Sequence, residues 1–141
     1  SKLNGISINT DNAKDYTALC QDLLKEERRG ASPKGCETVR YLINHEIAHQ
    51  LDNILHLSTD PTIIKEYTKH VQMSESEQIN NLCTYASKDI HEFIAEAWAE
   101  SQCSSSPRRV AKLIGDKIAS TAQAYINSKK GESDYVRERE L

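Results

Sequence analysis

No apolar run in this 141-residue chain approaches the roughly 18 residues that a membrane span needs, and no secretory signal opens it. Its four cysteines contain no C-x-x-C pair, and the sequence shows no internal repeat. Charge of one sign is not concentrated either. A net charge of −3 with scattered lysines leaves no basic footprint for nucleic acid. The remaining composition, 38% hydrophobic and 28% charged, is that of an ordinary globule, and a chain of this length buries about two-thirds of its unfolded surface. One domain over residues 1–141 is expected, with 129–141 as a charged tail. The start at Ser1-Lys2, without an initiator methionine, reads as a piece excised from a larger parent protein. Cys20, Cys36, Cys83 and Cys103 read as free thiols, because a domain of this size needs no disulfide staples; their pairing, and with it the compartment, stays open.

Along the chain, Leu3 to Asn9 alternates in the manner of a short strand. Asp11 is suited to cap a helix through about Arg28, with Tyr16, Leu19, Leu23 and Leu24 as its apolar side. Residues 30–35 form a loop. Asp60-Pro61 is a cap followed by proline at the first helical position, opening a helix through about Val71. A short helix is expected over 74–83 and a loop over 84–89. Ser106-Pro107 repeats the cap-then-proline signal before a helix reaching about Ser128, with Val110, Ile114, Ile118, Ala122 and Tyr125 inward. From Lys129 the charged sequence is expected to fray or cap that helix.

The chemistry centres on His45-Glu46-Ile47-Ala48-His49, an H-E-x-x-H pattern. On a helix over 37–56, His45 and His49 sit roughly 40° apart and one turn from each other, so both imidazoles can meet one zinc ion. Glu46 lies roughly 100° further round, beside the ion, where a carboxylate can take a proton from water. Val39, Ile43, Ile47, Leu51 and Ile54 form an apolar stripe on the same helix, which is expected to face the core while the histidines face a cleft. His56 shares the histidine face but lies about 10 Å along the axis, too far to join them.

A catalytic zinc normally takes three protein ligands. The extended pattern H-E-x-x-H-x-x-G-x-x-H fails, since Asp52 and Leu55 occupy its last two fixed positions. A second helix beginning near Ile90 is the better source. There Ile90, Phe93, Ile94, Ala97 and Trp98 make an apolar stripe, and Glu92 and Glu96 lie opposite, flanked by Ala95 and Ala99. Two like charges four apart repel by a few tenths of a kcal/mol unless something positive sits between them. Small alanines beside them suit a face pressed against another helix.

Tyr85, seven residues before Glu92, followed by H-E-F-I-A-E-A-W, resembles the zinc-peptidase domain of anthrax lethal factor and its relatives, which are gluzincins. The resemblance covers about residues 36–127. It implies one zinc per chain on His45, His49 and Glu92, with Glu46 as general base and Tyr85 beside the metal. Glu96, one turn after the ligand, and Asp52 match acids that support the centre from behind; both are also the alternatives for the third ligand. Pro33-Lys34-Gly35-Cys36 and Pro107-Arg108 are similar, more loosely, to metallopeptidase-like domains attached to phage minor head proteins.

The expected fold class is therefore α+β: a mainly helical zincin-like domain with a very small sheet or the single edge strand Leu3–Asn9. The expected function is zinc-dependent endopeptidase action on a peptide or protein substrate. A zinc-stabilised interaction module of a phage or mobile-element protein is the alternative. Cytoplasmic, virion-associated and secreted-toxin locations all remain open, and cleavage specificity is not written in the motifs.

Overall fold

A computed structural model of the chain describes residues 16–35 and 38–140, with side chains over 21–35 and 38–132. The expected strand, the Asp11 cap and Cys36 fall outside these residues, as does the side chain of Cys20. Among the described residues there are six α-helices and no strand. They are α1 (Tyr16–Arg28), α2 (Val39–Leu55), α3 (Pro61–Val71), α4 (Glu75–Asn81), α5 (Ile90–Cys103) and α6 (Arg109–Glu140), with single 3-10 turns at Leu57–Thr59 and Tyr85–Ser87. The mainly helical expectation holds. A sheet is not found among the described residues.

Local chemistry sets most of the boundaries. Asp60 accepts hydrogen bonds from the amides of Thr62 and Ile63 and is followed by Pro61, so α3 starts as its sequence signal requires. Ser74 and Glu77 form a reciprocal capping box on α4. Asp89 caps α5 by accepting from the amide of Glu92, which holds Glu92 in the first turn, where the helix dipole favours an anion. α2 ends at His56, whose left-handed φ of 54° is the one positive value at a described residue other than glycine.

Two boundaries differ from expectation. The last helix begins at Arg109 rather than directly after Pro107, and it runs through Gly131 to Glu140 instead of stopping near Ser128. Lysine and glutamate are good helix formers and one glycine costs only about 1 kcal/mol, so a charged stretch without proline does not end a helix. Val110, Ile114 and Ile118 are buried, but Tyr125 is exposed. The helix outruns the core, and none of the described side chains after Ile118 is buried.

α5 is the centre of the fold, packed between α2 and α6. Phe93, Ile94 and Ala97 are fully buried with Ile114, Ile118, Ile63 and Leu57, while Ile90 and Trp98 pack at the margin. Each large apolar side chain so buried contributes roughly 1.5–3 kcal/mol. The opposite side of α5 is buried as well, at Ala95, Glu96, Ala99 and Glu100. Glu100 is paired with Arg108, which also donates to the carbonyls of Ile79 and Leu82 at the end of α4.

α2 corrects the expected core face. Val39 and Leu51 pack partly buried against the core, but none of Val39, Ile43, Ile47, Leu51 and Ile54 is fully buried, and Ile54 is 50% exposed. The buried residues are Tyr41, Ala48 and Asp52, on the side that carries His45. A polar face can be buried when each polar group meets a partner. Here α5 supplies the carboxylates that meet the histidines.

His70 is a buried histidine outside that site. Its Nε2 meets the carbonyl of Cys83 at 2.9 Å and its Nδ1 meets the side-chain nitrogen Nδ2 of Asn81 at 3.0 Å, a pairing that suits the neutral ring. Desolvation, reinforced by the Arg108 cation and opposed by the Cys83 carbonyl, lowers its pKa below the ordinary 6.5. In the window below 6.5 the unfolded chain binds more protons than the folded one, so stability falls as pH falls through it. Replacing His70 by Gln should flatten this acid limb in urea-unfolding curves taken at stepped pH.

Candidate metal centre

The site lies between α2 and α5. His45 and His49 project from successive turns of α2, and Glu92 from the capped first turn of α5. His45 Nε2 is 3.1 Å from His49 Nε2 and 3.0 Å from Glu92 Oε2, and His49 Nε2 is 3.5 Å from Glu92 Oε1. A tetrahedral ion with ligands at about 2.0–2.1 Å has ligand atoms about 3.3–3.4 Å apart. The two imidazole nitrogens and the two oxygens of the Glu92 carboxylate thus lie close to this spacing, and one ligand atom from each of the three residues lies within 4.8 Å of the others. They are also the one such cluster among the described residues. Glu92 Oε2 and His45 Nδ1 are both buried, and neither makes a well-formed hydrogen bond: their nearest polar neighbours are His45 Nε2 at 3.0 Å and Glu96 Oε1 at 3.5 Å. Buried polar atoms are rarely left so, and two ring nitrogens brought together at 3.1 Å call for a cation or a proton between them. The donor set of two imidazoles and one carboxylate is that of catalytic zinc sites.

The other expected residues fall into two groups. Glu46, Tyr85 and Glu96 line one cavity of about 300 Å³ together with His45, Tyr41, Leu42 and the loop at Ala31–Ser32. Glu96 is 1% exposed, its Oε1 lies 3.5 Å from His45 Nδ1, and both of its oxygens lie within hydrogen-bonding distance of the Tyr41 hydroxyl. Tyr85 is 40% exposed, and its turn is tied to the loop across the cavity by Thr84 N donating to Gly30 O and Tyr85 N to Ala31 O. Gly30 sits at φ 76°, and an added Cβ would come within 2.6 Å of Ile79, so the loop takes this path only with glycine there. Lys88 donates to the Tyr85 hydroxyl oxygen at 3.4 Å.

Asp52 stands apart from this group. It accepts from the amide of Ser58 and pairs with His91 Nδ1 at 2.5 Å, on the wall of a second cavity of about 350 Å³ that includes His49, Asn53 and His56. The structure therefore links Asp52 to α5 through His91, the neighbour of Glu92 in sequence.

Electrostatics follow the burial. Desolvation opposes protonation of His45, but the carboxylates of Glu96, Glu92 and Glu46 together outweigh it and raise its pKa above 6.5. An ion of positive charge placed among these groups meets the same favourable field.

Sequence reasoning missed Tyr41 and His91. Tyr41 precedes His45 by four residues and therefore shares its face, a signal present in the helical period. His91 carried no such signal, since its partner is 39 residues away. No protein-family model, curated protein or solved structure was found to match the chain.

Proposed function

We propose that this chain is a zinc-dependent peptide hydrolase. The observation that carries the reading is the triangle of His45, His49 and Glu92, whose ligand atoms stand 3.0–3.5 Å apart with Glu46 beside them on α2. Zinc bound there would supply Lewis-acid polarisation of a carbonyl and a lowered pKa for water.

The remaining steps belong to side chains of the chain itself. Glu46 borders the same cavity as His45, so a substrate amide lying in that cavity is within its neighbourhood. Its carboxylate accepts the proton of the attacking water and returns it to the departing amine. The Tyr85 hydroxyl, on the facing wall, donates to the oxygen that becomes negative as the carbonyl is attacked. Lys88, by donating to that hydroxyl oxygen, makes its O–H a better donor. His45 and His49 act as neutral ligands, so their proton state is part of the mechanism.

The test is digestion of a random peptide library by zinc-loaded protein, with and without a chelator. Cleavage that disappears with the chelator and returns with added zinc is the expected result. A zinc-loaded protein that cleaves no peptide would hand the site to the second reading, an interaction module stabilised by the metal.

A further inference from the structure

Tyr41 is buried at the centre, yet neither the H-E-x-x-H motif nor the family likeness gives it a role. Its hydroxyl lies 2.7 Å from one Glu96 oxygen and 2.9 Å from the other. Its ring meets the His45 imidazole edge-on, with centroids 5.8 Å apart. A phenol has a single proton to donate, so that proton is shared across the carboxylate and fixes the plane of the group. Glu96 is 1% exposed and cannot turn to water instead. Its other close neighbour is His45 Nδ1, at 3.5 Å.

These contacts form a short chain from Tyr41 through Glu96 to His45, along one face of α2 and across to α5. We propose that Tyr41 is a positioning residue of the metal centre. Its hydroxyl holds the Glu96 carboxylate against Nδ1 of His45, which sets the tautomer that presents Nε2 towards His49 and Glu92. The inference rests on the metal-centre reading given above.

The physical reason is the cost of a loose carboxylate. Without the phenol donor the buried Glu96 carboxylate is no longer held in one plane, so the oxygen that stands 3.5 Å from Nδ1 is less well fixed there. Partners of this kind typically change metal affinity or activity by 10–100-fold, and Tyr41 stands behind such a partner. Tyr41→Phe keeps the ring and its contact with His45 and removes only the donor. About a tenfold loss of zinc affinity is therefore expected, at the lower end of that range.

The experiment is a zinc titration, in competition with a chromophoric chelator, of the parent chain, Tyr41→Phe, Glu96→Gln and the double variant. Tyr41→Phe should bind zinc more weakly, and the double variant no more weakly than Glu96→Gln alone, because Tyr41 then has no carboxylate left to hold. Unchanged affinity in Tyr41→Phe, or losses that simply add, would overturn the proposal. The visible spectrum of the cobalt(II)-loaded proteins separates positioning from packing. A change of band shape in Tyr41→Phe supports positioning, whereas a lower melting temperature with the parental spectrum means that the hydroxyl only stabilises the fold. Should Tyr41→Phe not fold, para-aminophenylalanine at position 41 restores a donor and should restore parental affinity; weak binding by that folded variant also overturns the idea. A parent chain that takes up no zinc removes the metal centre and this inference together, an outcome distinct from a zinc-binding parent whose Tyr41→Phe variant is unchanged.

Discussion

Glu46→Gln protein is expected to hold zinc as tightly as the parent while losing about 10²–10⁴-fold in kcat on any peptide the parent cleaves. The amide keeps the size and hydrogen-bonding reach of the carboxylate but has no useful basicity, so the loss isolates proton transfer. Glu46 is not among the three side chains whose ligand atoms cluster, which is why metal content should not move. Tyr85→Phe belongs in the same experiment, with about 10²–10³-fold expected for loss of an oxyanion donor. Tyr85 is 40% exposed and its hydroxyl accepts from the exposed Lys88 at 3.4 Å, so its loss should cost the fold little. Single-turnover kinetics beside zinc analysis checks both. A Glu46→Gln enzyme that cleaves at the parental rate would remove the general-base assignment, and a parental rate in Tyr85→Phe would remove the donor.

The second large effect is loss of the metal itself. His45→Ala and Glu92→Ala should each lower zinc affinity by more than the roughly 10–100-fold typical of an outer partner, since each deletes one corner of the triangle. Asp52→Asn is the matched control, because Asp52 contacts His91 and Ser58 rather than the ligand atoms. Full zinc occupancy in Glu92→Ala would remove Glu92 from the ligand set and make Glu96, beside His45, the next candidate. Acid should act in the same direction as these substitutions. His45 has its pKa raised by the surrounding carboxylates, so protons compete with zinc from a higher pH than at an ordinary imidazole, and zinc affinity weakens progressively as pH falls below that raised value. Dialysis at stepped pH followed by metal analysis reads this directly.

What the sequence made legible was the part governed by local rules. The spacing of His45 and His49 and the Asp60-Pro61 start of α3 depend on residues within one turn of each other, and both are found in the structure, as is a short helix within 74–83. The apolar stripe of α5 was also legible, since Phe93, Ile94 and Ala97 are buried as their spacing requires. The orientation of α2 was not. Its aliphatic residues suggested one buried face, but the contacts that decide the matter are those of His45 with Glu92 and Glu96, 47 and 51 positions along the chain. Helical periodicity cannot see a polar face whose partners come from another element. The length of α6 was misjudged for a different reason. Charge alone does not end a helix, which stops only where backbone geometry or a cap stops it.

The alanines between the two ligand-bearing helices carry a consequence for metal selectivity. Ala48 on α2 and Ala95 and Ala99 on α5 are fully buried, and α2 and α5 pack against each other. Side chains this small let two helix backbones approach closely, so the spacing of His45 and His49 from Glu92 is gauged by residues that never touch an ion. Metal sites depend on ligand distance and geometry, and inserting methylenes into a packed interface forces backbone shifts at a cost of about 1–3 kcal/mol. Calcium prefers six to eight oxygens at about 2.3–2.6 Å and would need a wider, differently furnished gap. If the cluster holds a cation, its choice would thus depend partly on methyl groups, and an alanine-to-valine change on either helix would shift the spacing without altering a single donor atom.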